Sequence, residues 1–160
     1  LAAIQGLCIG GGLDLIAACD MRYAAVDAAF SLKEADLAIV ADVGSLQRLP
    51  YLIGEGRLRE LAFTARPFDA AEAQAMGLVN RTFADAGALR EGVTAIAAAI
   101  AAKSPLTVRG IKQVLNYGRD HSVADGLDYV ATWNSALLLS DDTREAIMAT
   151  MQKQQPRFKD

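Results

Sequence analysis

GGGLDLIAACDMRYAA, Gly10 to Ala25, places three glycines ahead of a helix-like run and sets a carboxylate, Asp14, in the first turn of that run. Gly10 to Gly12 reads as a turn whose backbone takes angles that only glycine adopts freely. Leu13 to Cys19 reads as a helix, apolar nearly all round and so buried. On either side lie short strand candidates: Leu1 to Ile4, ending at Gly6, then MRYAA and AAFSL, parted by Val26-Asp27. The early half of the chain thus alternates strand and helix, the pattern of an α/β fold.

The carboxylate raises a chemical question, which a second stretch sharpens. SLKEADLAIVADVGSLQRLP, Ser31 to Pro50, sets Glu34 and Asp42 among Leu, Ile, Val and Ala. Each acid has an ordinary explanation. Asp14 is favoured by the helix dipole in a first turn, Glu34 follows a strand beside Lys33, and Asp42 is placed to N-cap a helix near Ser45. Their shared context gives the other reading. Three acids with small apolar neighbours, and no arginine positioned by sequence to neutralise them, suit proton transfer. The glycines likewise have two readings. One is a tight turn with close packing. The other is a helix start whose bare N–H groups receive developing negative charge on a ligand oxygen. The spacing is neither GxGxxG nor a phosphate loop followed by Lys-Ser/Thr.

Bulk composition narrows the field. The chain has 160 residues, one ordinary domain's worth. Its net charge is −3 and it has no basic run, which argues against a nucleic-acid partner. One histidine, His121, excludes a His-rich metal centre, and no Cys-x-x-Cys exists, so no metal is expected. Cys8 and Cys19 sit in apolar runs and read as buried thiols of a reducing compartment. No apolar run is long enough to span a bilayer, so no membrane partner is expected. The Ala-rich chain, without a visible address, leads to the expectation of a bacterial cytoplasmic protein. The opening LAAIQGLCIG reads as the interior of a strand, and the chain is expected to be the later part of a longer protein.

Further along, Ser45 to Leu52 and Arg57 to Thr64 read as helical, with Gly54 and Gly56 between them. DAAEAQAMGL has a capping-box pattern: Asp69 as N-cap, Glu72 three residues on, Gly77 as the stop. LVNRTF returns as a strand. From Ala86 the reading is helical, with Ser104-Pro105, Ser122 and Ser140 or Asp141 as helix starts. His121, beside Asp120, reads as a structural histidine, and Tyr129 and Trp133 share one helical face as packing residues.

AAIQGLCIGGGLDLIAACDMRYAA followed by AFSLKEADLAIVADVGSLQRLPYLIG closely resembles the enoyl-CoA hydratase/isomerase (crotonase) superfamily. The resemblance continues through ELAFTARPFDAAEAQAMGLVNRTF and SPLTVRGIKQVLN, essentially the whole chain. Within it, the combination of Asp14, Glu34 and Asp42 is similar to the delta(3,5)-delta(2,4)-dienoyl-CoA isomerases, as is YGRDHSVADGLDYVATWNSALL. Hydratases usually carry Glu at the Asp14 position and a glycine-rich loop where this chain has VADVGSL.

The resemblance implies a crotonase-like α/β spiral of β-β-α units followed by a C-terminal helical trimerisation region. Residues 1–102 would be the later portion of the core and 103–160 the oligomerisation region. It implies conversion of 3,5-dienoyl-CoA to 2,4-dienoyl-CoA in fatty-acid β-oxidation, with Glu34 and Asp42 as the acid/base pair and Asp14 tuning the charge. Gly11 N–H would be one oxyanion donor, the partner donor coming from an earlier segment. It also implies a coenzyme A thioester substrate, no cofactor, and a homotrimer or hexamer. An enoyl-CoA hydratase and a non-catalytic oligomer-forming member are the alternatives.

Overall fold

The computed structural model describes residues 1–159. The chain forms two compact units, Leu1–Ala95 and Ile96 onward.

The first unit is built from short strands taken in pairs. β1 (Ala2–Ile4) and β2 (Leu7–Ile9) are parted by Gly6 at φ +64°, and β3 (Arg22–Ala25) and β4 (Ala29–Ser31) by a turn in which Ala28 N–H donates to Ala25 O at 3.0 Å. The first strand of each pair joins one sheet and the second joins another. β1 pairs with β3 in parallel, Ala2 opposite Arg22 and Ile4 opposite Ala24; β2 pairs with β4 in parallel, Leu7 opposite Ala29 and Ile9 opposite Ser31. β5 (Phe68–Asp69) adds antiparallel to β4, and β6 (Arg81–Phe83) adds parallel to β3, giving the orders β1-β3-β6 and β2-β4-β5. Pairs of strands split between two sheets, with helices after them, are the β-β-α spiral that the resemblance implied.

Sequence reading ran LAAIQGLCIG together as the interior of a strand and did not set β2 apart from β1; Leu7 and Ile9 are exposed and only Cys8 turns inward. Three residues are too few for that alternation to be read.

The helices of this unit are short. α1 is Gly11–Ala17; the segment read as one helix over Ser45 to Leu52 is two, α2 (Ser45–Arg48) and α3 (Pro50–Ile53); α4 is Glu55–Thr64 and α5 Ala70–Ala75. α1 is not buried all round: Leu13, Ile16 and Ala17 face the core, while Leu15 is exposed. Leu13, Phe30, Leu32, Leu49, Leu61, Leu78 and Val79 are almost wholly buried, and Phe30 stacks on Phe68 at 5.4 Å between ring centres. Asp69 caps α5 as expected, its carboxylate accepting from Glu72 N–H at 2.8 Å. Glu72 itself turns to the Arg66 guanidinium at 2.6 and 3.0 Å, which holds its carboxyl below the usual range.

Arg22 ties this unit together. It is buried, and donates from Nε to Leu78 O at 2.6 Å and from Nη1 to Cys19 O at 2.5 Å. Those bonds fasten the end of α1 and the approach to β6 onto β3. Arg22→Met leaves both carbonyls without this donor and is expected to destabilise the protein by about 2–5 kcal/mol. A urea titration with a lowered midpoint and an unchanged slope is the check.

α6 (Ala86–Ala101) spans the division between the units. In the second unit, α7 (Pro105–Tyr117), α8 (Val123–Leu137) and α9 (Asp141–Met151) start at Ser104, Ser122 and Ser140, each hydroxyl accepting from the third N–H beyond it. Ser104 Oγ also donates to buried Asp142 at 2.5 Å, joining the starts of α7 and α9. Gly110 lets the helices meet: a Cβ there would lie 3.3 Å from the Trp133 ring. Tyr117 is stacked between His121 and Tyr129, and Tyr129 meets Trp133 edge-on. His121 Nδ1 lies 2.8 Å from Tyr117 O and 2.7 Å from Asp120, a structural role at the end of α7. Among the described residues no helix is long and apolar enough to cross a membrane.

Candidate active site

The glycine turn has a specific steric reason. Gly10 adopts φ +54° and ψ −117°, its N–H donates to Ser31 O at 3.0 Å, and a Cβ on it would lie 3.1 Å from Glu34 Oε1. Its bareness therefore makes room for a carboxylate. A Cβ at Gly11 would meet nothing within 4 Å, so the start of α1 faces open space. Gly11 and Gly12 open the helix, and N–H groups at such positions have no partner inside it.

Glu34 is carried on a single 3₁₀ segment, Lys33–Leu37, closed by Ala38 in the left-handed region at φ +55°. Ile39 N–H donates back to Glu34 O at 3.1 Å and fixes the segment's exit. Lys33, its neighbour in sequence, pairs with Asp36 instead. Glu34 Oε2 is buried and has no hydrogen-bond partner among the described residues. The side chain lines a cavity of about 360 Å³ whose other walls include Leu32, Ile39, Val40, Leu46 and Phe63. A carboxylate with one unpartnered oxygen among apolar walls is a candidate for proton transfer.

Asp14 is placed differently. It is buried in the first turn of α1, and its Oδ1 accepts from Ser45 N–H at 2.8 Å, the first amide of α2. It thus completes the start of a neighbouring helix, a favourable charge–dipole contact. Ser45 Oγ, fully buried beside it, has no hydrogen-bond partner among the described residues. Asp42 is exposed and does not cap α2, whose N-cap is Gly44 with no side-chain bond. It follows Ala41, which is buried and lines the Glu34 cavity. The fold therefore brings Glu34 to the glycine turn and Asp14 to the start of α2. Neither Asp14 nor Asp42 is part of the cavity wall.

The apolar walls escaped sequence reading. Ile39 and Val40 belong to no helix or strand, and Phe63 comes from α4. The signal that could have found them is an apolar run with neither helical nor strand period just after an acid. Of the two thiols, Cys8 is buried under the glycine turn, and burial raises its pKa to about 11. Cys19, expected to be buried, is only half-buried, because it lies beyond the last turn of α1. Among the described residues, no group of three His, Cys, Asp or Glu side chains could hold a metal ion.

The model of the enoyl-CoA hydratase/isomerase family matches residues 1–160. A protein of Arabidopsis thaliana named delta(3,5)-delta(2,4)-dienoyl-CoA isomerase, peroxisomal, is 58% identical over 158 residues, covering 99% of this chain and 57% of the relative. A protein of Homo sapiens named delta(3,5)-delta(2,4)-dienoyl-CoA isomerase, mitochondrial, is 49% identical, covering 97% of this chain and 48% of the relative. The crystal structure of an enoyl-CoA hydratase from Bacillus anthracis superposes with a TM-score of 0.93 at 36% identity, covering 96% of this chain and 59% of that one. The chain thus spans about half the length of the curated relatives it matches. The expectation of a bacterial cytoplasmic protein is overturned, since these similar isomerases are eukaryotic proteins named as peroxisomal or mitochondrial. Composition carried no information on compartment. With the family model matched along the chain and the β-β-α spiral in place, the protein belongs to the enoyl-CoA hydratase/isomerase family, the crotonase superfamily.

Proposed function

We propose that the protein of which this chain is part isomerises 3,5-dienoyl-CoA to 2,4-dienoyl-CoA, a step of fatty-acid β-oxidation. The observation that carries the reading is Glu34, whose carboxylate is pressed against the glycine turn with one buried oxygen unpartnered. The names of the relatives at 49–58% identity support it.

The reaction moves two double bonds by removing a proton from C2 and returning one to C6. Loss of the C2 proton puts negative charge on the thioester oxygen. Gly11 N–H, at the open start of α1, is the donor for that oxygen. C2 is bonded to the thioester carbon, so the acid beside the turn, Glu34, serves C2. C6 lies too far away for the same carboxylate. Asp42, next to the cavity residue Ala41, serves the far end. Asp14 holds the start of α2, and with it the Asp42 loop, by its bond to Ser45. The apolar walls from Leu32 to Phe63 suit the acyl chain, and the coenzyme A thioester comes as substrate rather than cofactor. The deciding experiment follows the conjugated product by ultraviolet absorbance, with hydration of a 2-enoyl-CoA measured in parallel. Conversion faster than hydration supports the isomerase. Hydration without conversion establishes the second reading, an enoyl-CoA hydratase, which the likeness to the Bacillus anthracis enzyme favours.

We also propose a homotrimer or a dimer of trimers. Leu127, Leu138 and Leu139 of the second unit are more than 60% exposed, with Ile111 and Leu115 exposed on α7. Val130 and Leu137 are only partly covered and Ala131 is exposed. Sedimentation at micromolar concentration is expected to give a trimer or hexamer; a monomer alone counts against it.

A further inference from the structure

We propose that Arg48 is a positioning residue that holds the loop carrying Asp42, an inference that rests on the role of Asp42 proposed above. Arg48 ends α2, where a cation would ordinarily face the last carbonyls of its own helix. It turns the other way. Its Nη1 reaches back past the start of the helix and donates to Val43 O at 3.0 Å, one residue after Asp42. The space it crosses is the face of Gly44. A Cβ on Gly44 would lie 1.8 Å from Arg48 Nη1 and 2.8 Å from Cζ, so any side chain there would expel the guanidinium. Gly44 also sits at φ +110°, a conformation that glycine adopts without strain.

The segment 42–45 is therefore pinned at two points on either side of Gly44. Arg48 takes the Val43 carbonyl, and Asp14 takes the Ser45 amide. Among the described residues no other hydrogen bond to a side chain holds this segment. Asp42 and Val43 are both exposed, and Asp42 is not tied down by capping α2. A proton donor on so short a loop works only if its backbone is held, and a misplacement of about 1 Å lowers a rate on the order of 100-fold. Arg48 supplies that restraint without touching the substrate.

The test compares wild type, Arg48→Met, Arg48→Lys, Asp42→Asn and the Asp42→Asn/Arg48→Met double variant, all in the full-length protein. The readouts are kcat and KM for 3,5-dienoyl-CoA, and amide hydrogen exchange of the peptide covering residues 41–46. Arg48→Met is expected to lower kcat by about 10- to 100-fold with little change in KM, and to speed exchange in the loop. Arg48→Lys, which keeps one donor, recovers part of kcat. In the Asp42→Asn background, Arg48→Met has no further effect on rate. Unchanged kcat and exchange in Arg48→Met overturn the proposal, as does an equal loss of rate with and without Asp42. A wild type that converts no dienoyl-CoA, yet shows the exchange difference, overturns the functional reading and leaves the clasp standing. Should Arg48→Met fail to fold, Arg48→Lys carries the same comparisons, a smaller loss of kcat with faster loop exchange supporting the clasp and no change in either overturning it.

Discussion

Asp42→Asn is expected to stop the conversion of 3,5- to 2,4-dienoyl-CoA while leaving binding of the CoA ester intact. The dienolate formed at C2 must be protonated at C6, and asparagine, equal in size, has no proton of suitable acidity to give. Loss of a positioned acid/base group lowers a rate by about 10²- to 10⁴-fold. Because Asp42 is exposed and caps no helix, the substitution should change stability by no more than about 0.5 kcal/mol. Loss of rate is then not loss of fold. The assay follows the ultraviolet absorbance of the conjugated product, with thermal melting and CoA-ester binding measured on the same samples. If Asp42→Asn isomerises as fast as wild type, Asp42 has no catalytic part. If it still hydrates a 2-enoyl-CoA, the hydratase reading takes its place.

Glu34→Gln should give a loss of comparable size, but at the other end of the diene. Glu34 is the acid against the glycine turn, so its removal should block abstraction of the C2 proton itself. Solvent exchange separates the two variants. In deuterated water, Asp42→Asn should still wash deuterium into C2, because the first proton transfer survives. Glu34→Gln should incorporate none, with turnover again down by about 10²- to 10⁴-fold. Stability should move the other way. Glu34 Oε2 is buried without a partner, an arrangement that penalises a charged group. A neutral amide of the same shape should melt no lower than wild type, the usual exchange of stability for function at a reaction centre. Exchange at C2 that persists in Glu34→Gln would move the base elsewhere, Asp14 being the next carboxylate in reach of the turn's helix.

The sequence by itself determined the local elements that a few residues dictate. Ser104-Pro105, Ser122 and Ser140 marked helix starts, and Asp69 marked another, because an N-cap is satisfied within three residues of the same chain. The strands MRYAA and AAFSL were legible because β3 and most of β4 are buried and, Arg22 and Ser31 aside, carry apolar side chains. The glycine turn and the acids in apolar context were visible for the same reason, being departures from local pattern. The family came from the resemblance of the stretches that hold them, not from their spacing alone.

Only the tertiary structure decided how the acids differ, because burial and hydrogen bonding come from residues distant in sequence. Asp14, which a first turn alone would explain, is bound to Ser45, 31 residues on. Glu34, which Lys33 would have neutralised, is left without it because that lysine turns to Asp36. Asp42, placed by spacing to cap α2, is displaced from that role by Gly44, whose positive φ begins the helix two residues later. β2 was not set apart from β1 because its outward residues are apolar too, so its three-residue in–out alternation does not show in the sequence. The chamber beside Glu34 draws its walls from a strand end, an irregular loop and two helices. A cavity of that kind is a property of packing between elements, and no window along the sequence contains it.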